Sequence, residues 1–434
     1  MRAKVIFFLL FLVGGVNAPI CSHAQLLKKI FGGGEEKRPV RQKPTLSTQP
    51  KQAAQVSKKK IRVLEYPASK IKNRYRIDVL LPLYLSELVQ NGKNVTSGKL
   101  SEKAAVSIGF YEGIKLAADS LNALGYQLDI FVHDVTEPGL RPDEIVKSET
   151  LNGSDLIIGA LQSNQLLPIA EYAKAHEINF ISSISPSDAE INDNLFFTML
   201  QPTLRKHVEL LKTAANKRYP NRSMLLLYRR SNMTDSLAAE NILINDEKNI
   251  KAISIEKPLL KNRLERSLDS LDINVLFLPI VDVATAESTL NDISTWFPNY
   301  QFEIYGLPSW RFMPQLKKAD VWNNLRINFT SPFYFDLSTP RARSLANGFR
   351  AQFSGKLTEM VFRGYDVLFW YGYLLHSYGT VYNTKQSDNS LAPFTKFDVK
   401  LQWNQQKELL YNENNFLYFY RYQSGSFVVN NSAQ

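Results

Sequence analysis

The sequence predicts an α/β protein of two lobes, each a largely parallel sheet covered on both faces by helices. Three observations predict it. From residue 75 onward 360 residues remain, more than a single hydrophobic core usually organises. Short apolar runs alternate there with longer segments whose apolar residues recur at helical spacing. The short runs are almost unbroken in apolar residues, the mark of strands buried on both faces of a parallel sheet.

Ahead of that region, Arg2 and Lys4 precede an apolar stretch from Val5 to Val16, and Ser22-His23-Ala24 supplies small residues before Gln25. This is the layout of a secretory signal peptide over 1–24, cleaved near Ala24. The apolar stretch is shorter than the roughly 20 residues a membrane-spanning helix needs. Export to the periplasm is therefore expected. The one cysteine, Cys21, leaves the mature chain without an internal disulfide. Pro19-Ile20 before it lacks the small residue usual before a lipidated cysteine, so release is expected over anchoring at Cys21.

The chain carries +11 overall, but the charge is not spread evenly. Residues 25–74 hold 14 Lys/Arg against three Glu, a net +11, and Arg2 with Lys4 add +2, which leaves −2 on the other 360 residues. Residues 25–74 are rich in Lys, Gln, Pro, Ser and Thr, and read as a disordered basic leader. Such a leader suits a solvated spacer or attraction to anionic envelope surfaces. Nucleic acid is not an expected partner, because no aromatics are interleaved with the basic residues and the chain is exported.

The elements then follow in order. Arg76 to Leu83 (RIDVLLPL) reads as a strand, Ala104 to Leu124 as a long amphipathic helix stopped by Gly125, and Gln127 to His133 as a strand. Asp155 to Gly159 is a strand, Gln165 to Ala175 a helix, and Asn179 to Ile184 a strand. The alternation resumes with strands at Ser223 to Tyr228, Ala252 to Glu256, Asn274 to Pro279, Gln301 to Gly306 and Arg326 to Ser331. Helices are expected at Asp235 to Ile244, Lys261 to Leu271 and Ala284 to Trp296, then at Pro340 to Phe353 and Met360 to Tyr378. Aromatic strands near Thr395 to Trp403 and Phe416 to Val429, separated by a polar turn, suggest a closing hairpin.

Four stretches carry a resemblance. Phe110 to Asp134 (FYEGIKLAADSLNALGYQLDIFVHD) is similar to the first helix and second strand of leucine/isoleucine/valine-binding proteins. Asp155 to Leu161 (DLIIGAL), Ile178 to Ser187 (INFISSISPS) and Arg363 to Leu375 (RGYDVLFWYGYLL) resemble later motifs of that family in the same order. The chain thus resembles a divergent type I periplasmic binding protein, of the ABC transporter substrate-binding kind, over roughly Arg74 to Val429. The resemblance implies two Rossmann-like lobes joined by three crossovers and closing on a small ligand. The expected division is 75–198 and 331–390 in the first lobe, with 199–330 and the C-terminal strands of 391–434 in the second.

In open α/β sheets ligands sit beyond the carboxyl ends of the strands, and clefts between lobes are favoured pockets. The candidate ligand-binding residues are accordingly Tyr84, Gln162, Ser163, Ser183, Ser185, Arg230, Asp282, Trp310 and Tyr334. Amino-acid binders of the family hold the ligand carboxylate with small hydroxyl residues and backbone N–H groups, and its ammonium with an acid. Here Gln162-Ser163 stands where paired serines are usual, and Ile184 separates Ser183 from Ser185. Asp282 fits an ammonium or an exposed helix cap, Arg229-Arg230 an anion or a solvated loop, and Trp310 a stacked ring or a lobe wall.

Enzymatic chemistry finds no motif. The five histidines are scattered, His133-Asp134 alternate faces on a strand, and Gly32-Gly33-Gly34 falls in the leader instead of between a strand and a helix. No catalytic residue, metal or cofactor is expected. Two functions remain open: a receptor closing on a small polar, amino acid-like solute for an ABC permease or for sensing, and an envelope protein that keeps the clamp fold and contacts peptidoglycan machinery. Some regulators of cell-wall synthases resemble this family.

Overall fold

A computed structural model describes residues 65–90, 93–94, 101–244, 249–255, 261–318, 321–423 and 425–430. The expected signal peptide, Cys21 and most of the expected basic leader lie outside the described residues. In chain order the first sheet begins with β1 (Tyr75–Leu81), β2 (Leu128–Asp134), β3 (Leu156–Gly159), β4 (Asn179–Ser182) and β5 (Phe197–Met199). The second holds β6 (Met224–Tyr228), β7 (Ile250–Ser254), β8 (Ile273–Phe277), β9 (Gln301–Tyr305) and β10 (Leu325–Ser331). The C-terminal strands are β11 (Val399–Trp403), β12 (Leu409–Asn414), β13 (Tyr418–Gln423) and β14 (Ser426–Asn430).

The two sheets repeat one plan. The first runs β11-β12-β5-β4-β3-β1-β2 and the second β14-β13-β10-β9-β8-β6-β7, seven strands each. In both, the first five strands of the lobe are parallel in the order 2-1-3-4-5, a doubly wound arrangement. Strand β1 shows why its sequence is apolar throughout. Ile77, Val79 and Leu81 enter one core cluster and Leu80 enters another on the opposite face, so both faces need apolar side chains.

Seven helices of ten residues or more cover the sheets among the described residues: α1 (Glu102–Ala123), α2 (Ser163–Ala175), α3 (Leu204–Arg218), α4 (Met233–Leu243), α5 (Val283–Trp296), α6 (Pro340–Gln352) and α7 (Glu359–Tyr378). Helices α1 and α7 pack together against the first sheet. They touch backbone to backbone: a Cβ on Gly113 would lie 2.1 Å from the Val361 carbonyl oxygen, and one on Gly364 2.1 Å from that of Phe110. The glycines of the EG and RGYD motifs are thus packing requirements of this crossing. Leu264 packs into the second core, but its helix covers only Lys261–Glu265, shorter than the expected Lys261 to Leu271.

Three expectations are corrected. First, the leader does not extend to residue 74 as unattached chain. Ser69 Oγ donates to the Tyr378 carbonyl at 2.6 Å, Lys72 Nζ bonds Asp155 at 2.5 Å, and Arg74 bonds Asp129 at 2.6 Å. The last basic residues have fixed acidic partners on the first lobe, which composition alone does not reveal. Second, 391–434 does not belong wholly to the second lobe, since β11 and β12 join the first sheet. Third, there are two C-terminal hairpins, not one: β11 pairs with β12 and β13 with β14.

Strand β12 escaped notice because its buried residues are polar. Asn412, Glu413 and Asn414 are 2%, 0% and 0% exposed. Asn412 Nδ2 donates to the Leu195 carbonyl at 2.7 Å within the first lobe, while Glu413 and Asn414 hold the backbone of crossing segments: the Thr203 N–H donates to Glu413 at 2.8 Å and the Phe416 N–H to Asn414 at 3.0 Å. Three segments, 200–203, 332–339 and 415–417, connect the lobes. Irregular backbone of this kind needs side-chain partners where it is buried, and that need outweighs apolar patterning here.

Candidate functional site

The strand ends of each lobe were the expected ligand line. In the first lobe Tyr84 follows β1 in a left-handed conformation (φ 57°) and is half-buried. Its loop is pinned by Asp134 at the end of β2, which accepts the N–H of Leu83 at 2.9 Å and of Leu85 at 2.8 Å. Gln162 precedes α2, and its own N–H donates to the Gln165 side chain at 3.0 Å. Ser163 Oγ donates to Ser187 Oγ at 2.8 Å, and Ser185 Oγ accepts from the Ser187 N–H at 3.2 Å. Ser183 is fully buried and donates to the Gly159 carbonyl at 2.9 Å. The serines therefore gather in one place, bonded to one another and to backbone.

The second lobe ties its strand ends still more tightly. Asp235, 0% exposed, pairs with Arg229 Nε at 2.5 Å and accepts the Val281 N–H at 3.0 Å. Ser309 Oγ donates to the Val281 carbonyl at 3.0 Å. Asp282 caps α5, its carboxylate accepting the Thr285 N–H at 2.8 Å. Arg230 is exposed. Trp310 is 0% exposed and its indole N–H donates to the Ile280 carbonyl at 2.9 Å. Of its two sequence readings the structure gives the wall: the ring lies in the core against Gly306, because an indole buries well only where its N–H has an acceptor.

A third group lies between the lobes, and only Tyr334 of it was anticipated. Arg311, in the turn after β9, reaches Glu359 at the N-terminus of α7 through two bonds: Nη1 to Oε1 at 3.2 Å and Nη2 to Oε2 at 2.8 Å. Arg363, one turn along α7, also donates to Glu359. The side chains are 18%, 14% and 5% exposed for Arg311, Glu359 and Arg363. Arg311 Nη1 also reaches Ser331 Oγ at 3.2 Å. The Arg363 guanidinium stacks 4.1 Å above Phe333, and that of Arg311 lies 5.9 Å from the Tyr420 ring. Tyr334 packs on Tyr418 and Tyr420 with centroids 5.4 and 6.1 Å away.

The electrostatics of this seam are those of a fork-bound, desolvated ion cluster. Burial pushes the Glu359 carboxyl up, but Arg311 and then Arg363 outweigh it and hold the group below the ordinary range. Both guanidinium groups face the same carboxylate. No sequence spacing pairs Arg311 with Glu359, which lie in different lobes. The one available signal was the arginine that opens the RGYD motif.

The other titratable groups have structural settings. His133 bonds Asp78 across the strands at 2.7 Å, not its neighbour Asp134, and Asp78 also accepts from Arg76 at 2.9 Å. His207 is buried, its Nδ1 2.8 Å from Thr330 Oγ1, and burial lowers it to about 3. Among the described residues no group of three His, Cys, Asp or Glu is placed to hold a metal ion, and no helix is long and apolar enough to cross a membrane.

No family model matches the chain, and no curated protein does. Solved structures do. A putative branched-chain amino acid ABC transporter from Rhodospirillum rubrum superposes with TM-score 0.57 at 14% identity, over 82% of this chain and 100% of that one. An ABC transporter substrate-binding protein from Desulfitobacterium hafniense in complex with Leu gives 0.52 at 16%, over 82% and 100%. Haemophilus influenzae LpoA gives 0.51 at 14%, over 83% of this chain and 59% of that one. At these identities the likeness establishes the fold, which is the type I periplasmic binding fold with two Rossmann-like lobes.

Proposed function

We propose that the chain is an exported, non-enzymatic binding protein of the periplasm whose lobes close on a small polar ligand, delivering it to an ABC-type permease or reporting it to an envelope partner. The observation that carries this reading is the seam. Arg311 from one lobe and Arg363 from the other converge on a single carboxylate, so polar recognition is concentrated where the lobes meet. Hinged closure around such a place is a standard motion of two-lobed proteins. The fold relatives include one solved with Leu bound, which agrees with solute capture without assigning this chain its ligand.

A second reading, contact with envelope machinery through the outer surface, is favoured by a different observation. The hydroxyls and the acid expected to hold an amino acid are already bonded within the first or second lobe: Ser183 to Gly159, Ser163 to Ser187, and Asp282 to Thr285. A thermal-shift screen of amino acids, short peptides, nucleobases and sugar fragments separates the two. A true ligand at 100 times its Kd stabilises the folded state by about 2.7 kcal/mol. A broad library that leaves the melting temperature unmoved overturns the solute reading and leaves the surface reading standing.

A further inference from the structure

Helix α6 has two faces, and packing explains only one. Ala342, Leu345 and Phe349 turn inward and share a core cluster with Leu116 of α1. Arg343, Asn347 and Arg350 recur at i, i+4 and i+7 and are exposed, so they share another face. A surface groove of about 320 Å³ runs there, lined by these three together with Ala342, Ala346, Leu337 and Leu357. Its charge is one-sided. Residues 340–358 hold Arg341, Arg343, Arg350 and Lys356 and no acid, although the 360 residues from 75 onward carry −2. Arg341 is committed elsewhere, donating to the carbonyls of Ala392 and Pro393 at 3.1 and 3.2 Å. Arg350 donates to Asn347 at 3.0 Å, and among the described residues neither it nor Arg343 meets a carboxylate. Helix stability does not account for Arg343. It lies in the first turn of α6, where a cation opposes the helix dipole.

We infer that this groove docks a helix of a second protein, one that carries acids seven residues apart with an apolar residue between them. Residues seven apart on a helix stand about 10 Å apart along its axis. A partner helix laid along α6 meets Arg343 and Arg350 with acids at the same spacing, and its apolar residue enters the groove over Ala342 and Ala346. An extended segment fits worse. About three residues of a strand cover that distance, and residues three apart on a strand point to opposite faces. A bilayer surface is read by clusters of about four to eight basic residues, more than the two arginines that line the groove. The inference goes beyond both readings of the function, since it concerns α6 alone and holds whether or not the lobes take up a solute.

The test uses the full chain and a helix-stabilised peptide with glutamates seven residues apart and leucine between them, followed by calorimetry. The same peptide with lysine for each glutamate is the control. The wild type is expected to bind the acidic peptide saturably, less tightly as salt rises, and to leave the lysine peptide unbound. Arg343→Glu and Arg350→Glu are each expected to weaken binding about fivefold, and the double variant to prefer the lysine peptide. Arg266→Glu, the same charge change on an exposed residue of the second lobe, is expected to bind as the wild type does. Asn347→Trp, which fills the groove and keeps both charges, is expected to abolish binding. All of these positions are exposed, so the variants are expected to fold. Absence of saturable binding by the wild type overturns the proposal, and so does equal binding by wild type and both reversals. Binding to vesicles of phosphatidylglycerol and phosphatidylcholine in equal parts that is lost in both reversals overturns it in favour of a membrane face. Self-association of the wild type that both reversals abolish overturns it in favour of a second copy of this chain.

Discussion

The strand-end loops and the seam are both polar, and they differ in where their partners come from. At the strand ends acids and hydroxyls find partners within their own lobe: Asp134 on the Leu83 loop, Ser183 on Gly159, Asp235 on Arg229 and Val281. At the seam Glu359 is satisfied across the lobes by Arg311. Polar residues of the first kind shape a lobe, and those of the second kind report whether the lobes are together. A loop rich in serine and acid is therefore weak evidence for a ligand, because unmade backbone bonds at strand ends consume such residues first.

The difference is sharpest where a charge is removed. Glu359→Gln leaves Arg311 and Arg363 facing each other without their anion. The expected loss is about 3 kcal/mol in chemical denaturation, the range for breaking a buried pair. A loss below about 1 kcal/mol would place the seam with ordinary surface ion pairs.

Asp366 lies seven residues further along α7 and behaves in the opposite sense. It is fully buried and accepts the N–H groups of Phe394 at 3.1 Å and Thr395 at 3.2 Å. Burial pushes it up to about 7, from an ordinary 3.8, in spite of those bonds. Between these values the folded protein holds a proton that the unfolded chain has released. This group's contribution is therefore greatest below about pH 4 and falls as the pH rises to about 7, by up to about 4 kcal/mol. Asp366→Asn, neutral at every pH, is expected to flatten that slope, changing stability little near pH 4 and raising it relative to wild type at pH 8, measured by urea unfolding across pH. An unchanged slope would assign it to another group.

The smallest effect is expected at the second lobe's cap. Asp282→Ala removes the acceptor for the Thr285 N–H and should cost about 1 kcal/mol. The response to a ligand found in the screen should not change. A large loss of ligand response would return Asp282 to the binding site that the sequence suggested for it.

The fold was legible because burial on both faces writes itself into apolar runs. Strand β1 (YRIDVLL) and helix α1 announce themselves by composition and period, and Gly113 and Gly364 lie in quoted motifs because their helices touch. The hinge was not legible. Strand β12 ends in Asn412-Glu413-Asn414, whose work is hydrogen bonding, and β5 is three residues long, too short for any period. Helix α3 was passed over although Val208, Leu211 and Ala215 line its buried face. At the site, sequence logic found strand ends but could not tell a satisfied hydroxyl from an available one. It put Trp310 forward and passed over Arg311 beside it, since only the folded chain shows that the ring faces the core and the guanidinium faces the other lobe.

The most direct test of a seam that couples the lobes is a double-mutant cycle between Arg311→Met and Glu359→Gln, followed by denaturant unfolding of the full chain. Contacting charges in one network are expected to show a coupling of about 1.5 kcal/mol or more. Losses that add within about 0.5 kcal/mol would contradict it, and would mean that Arg311 and Glu359 are neighbours that do not hold the two lobes together.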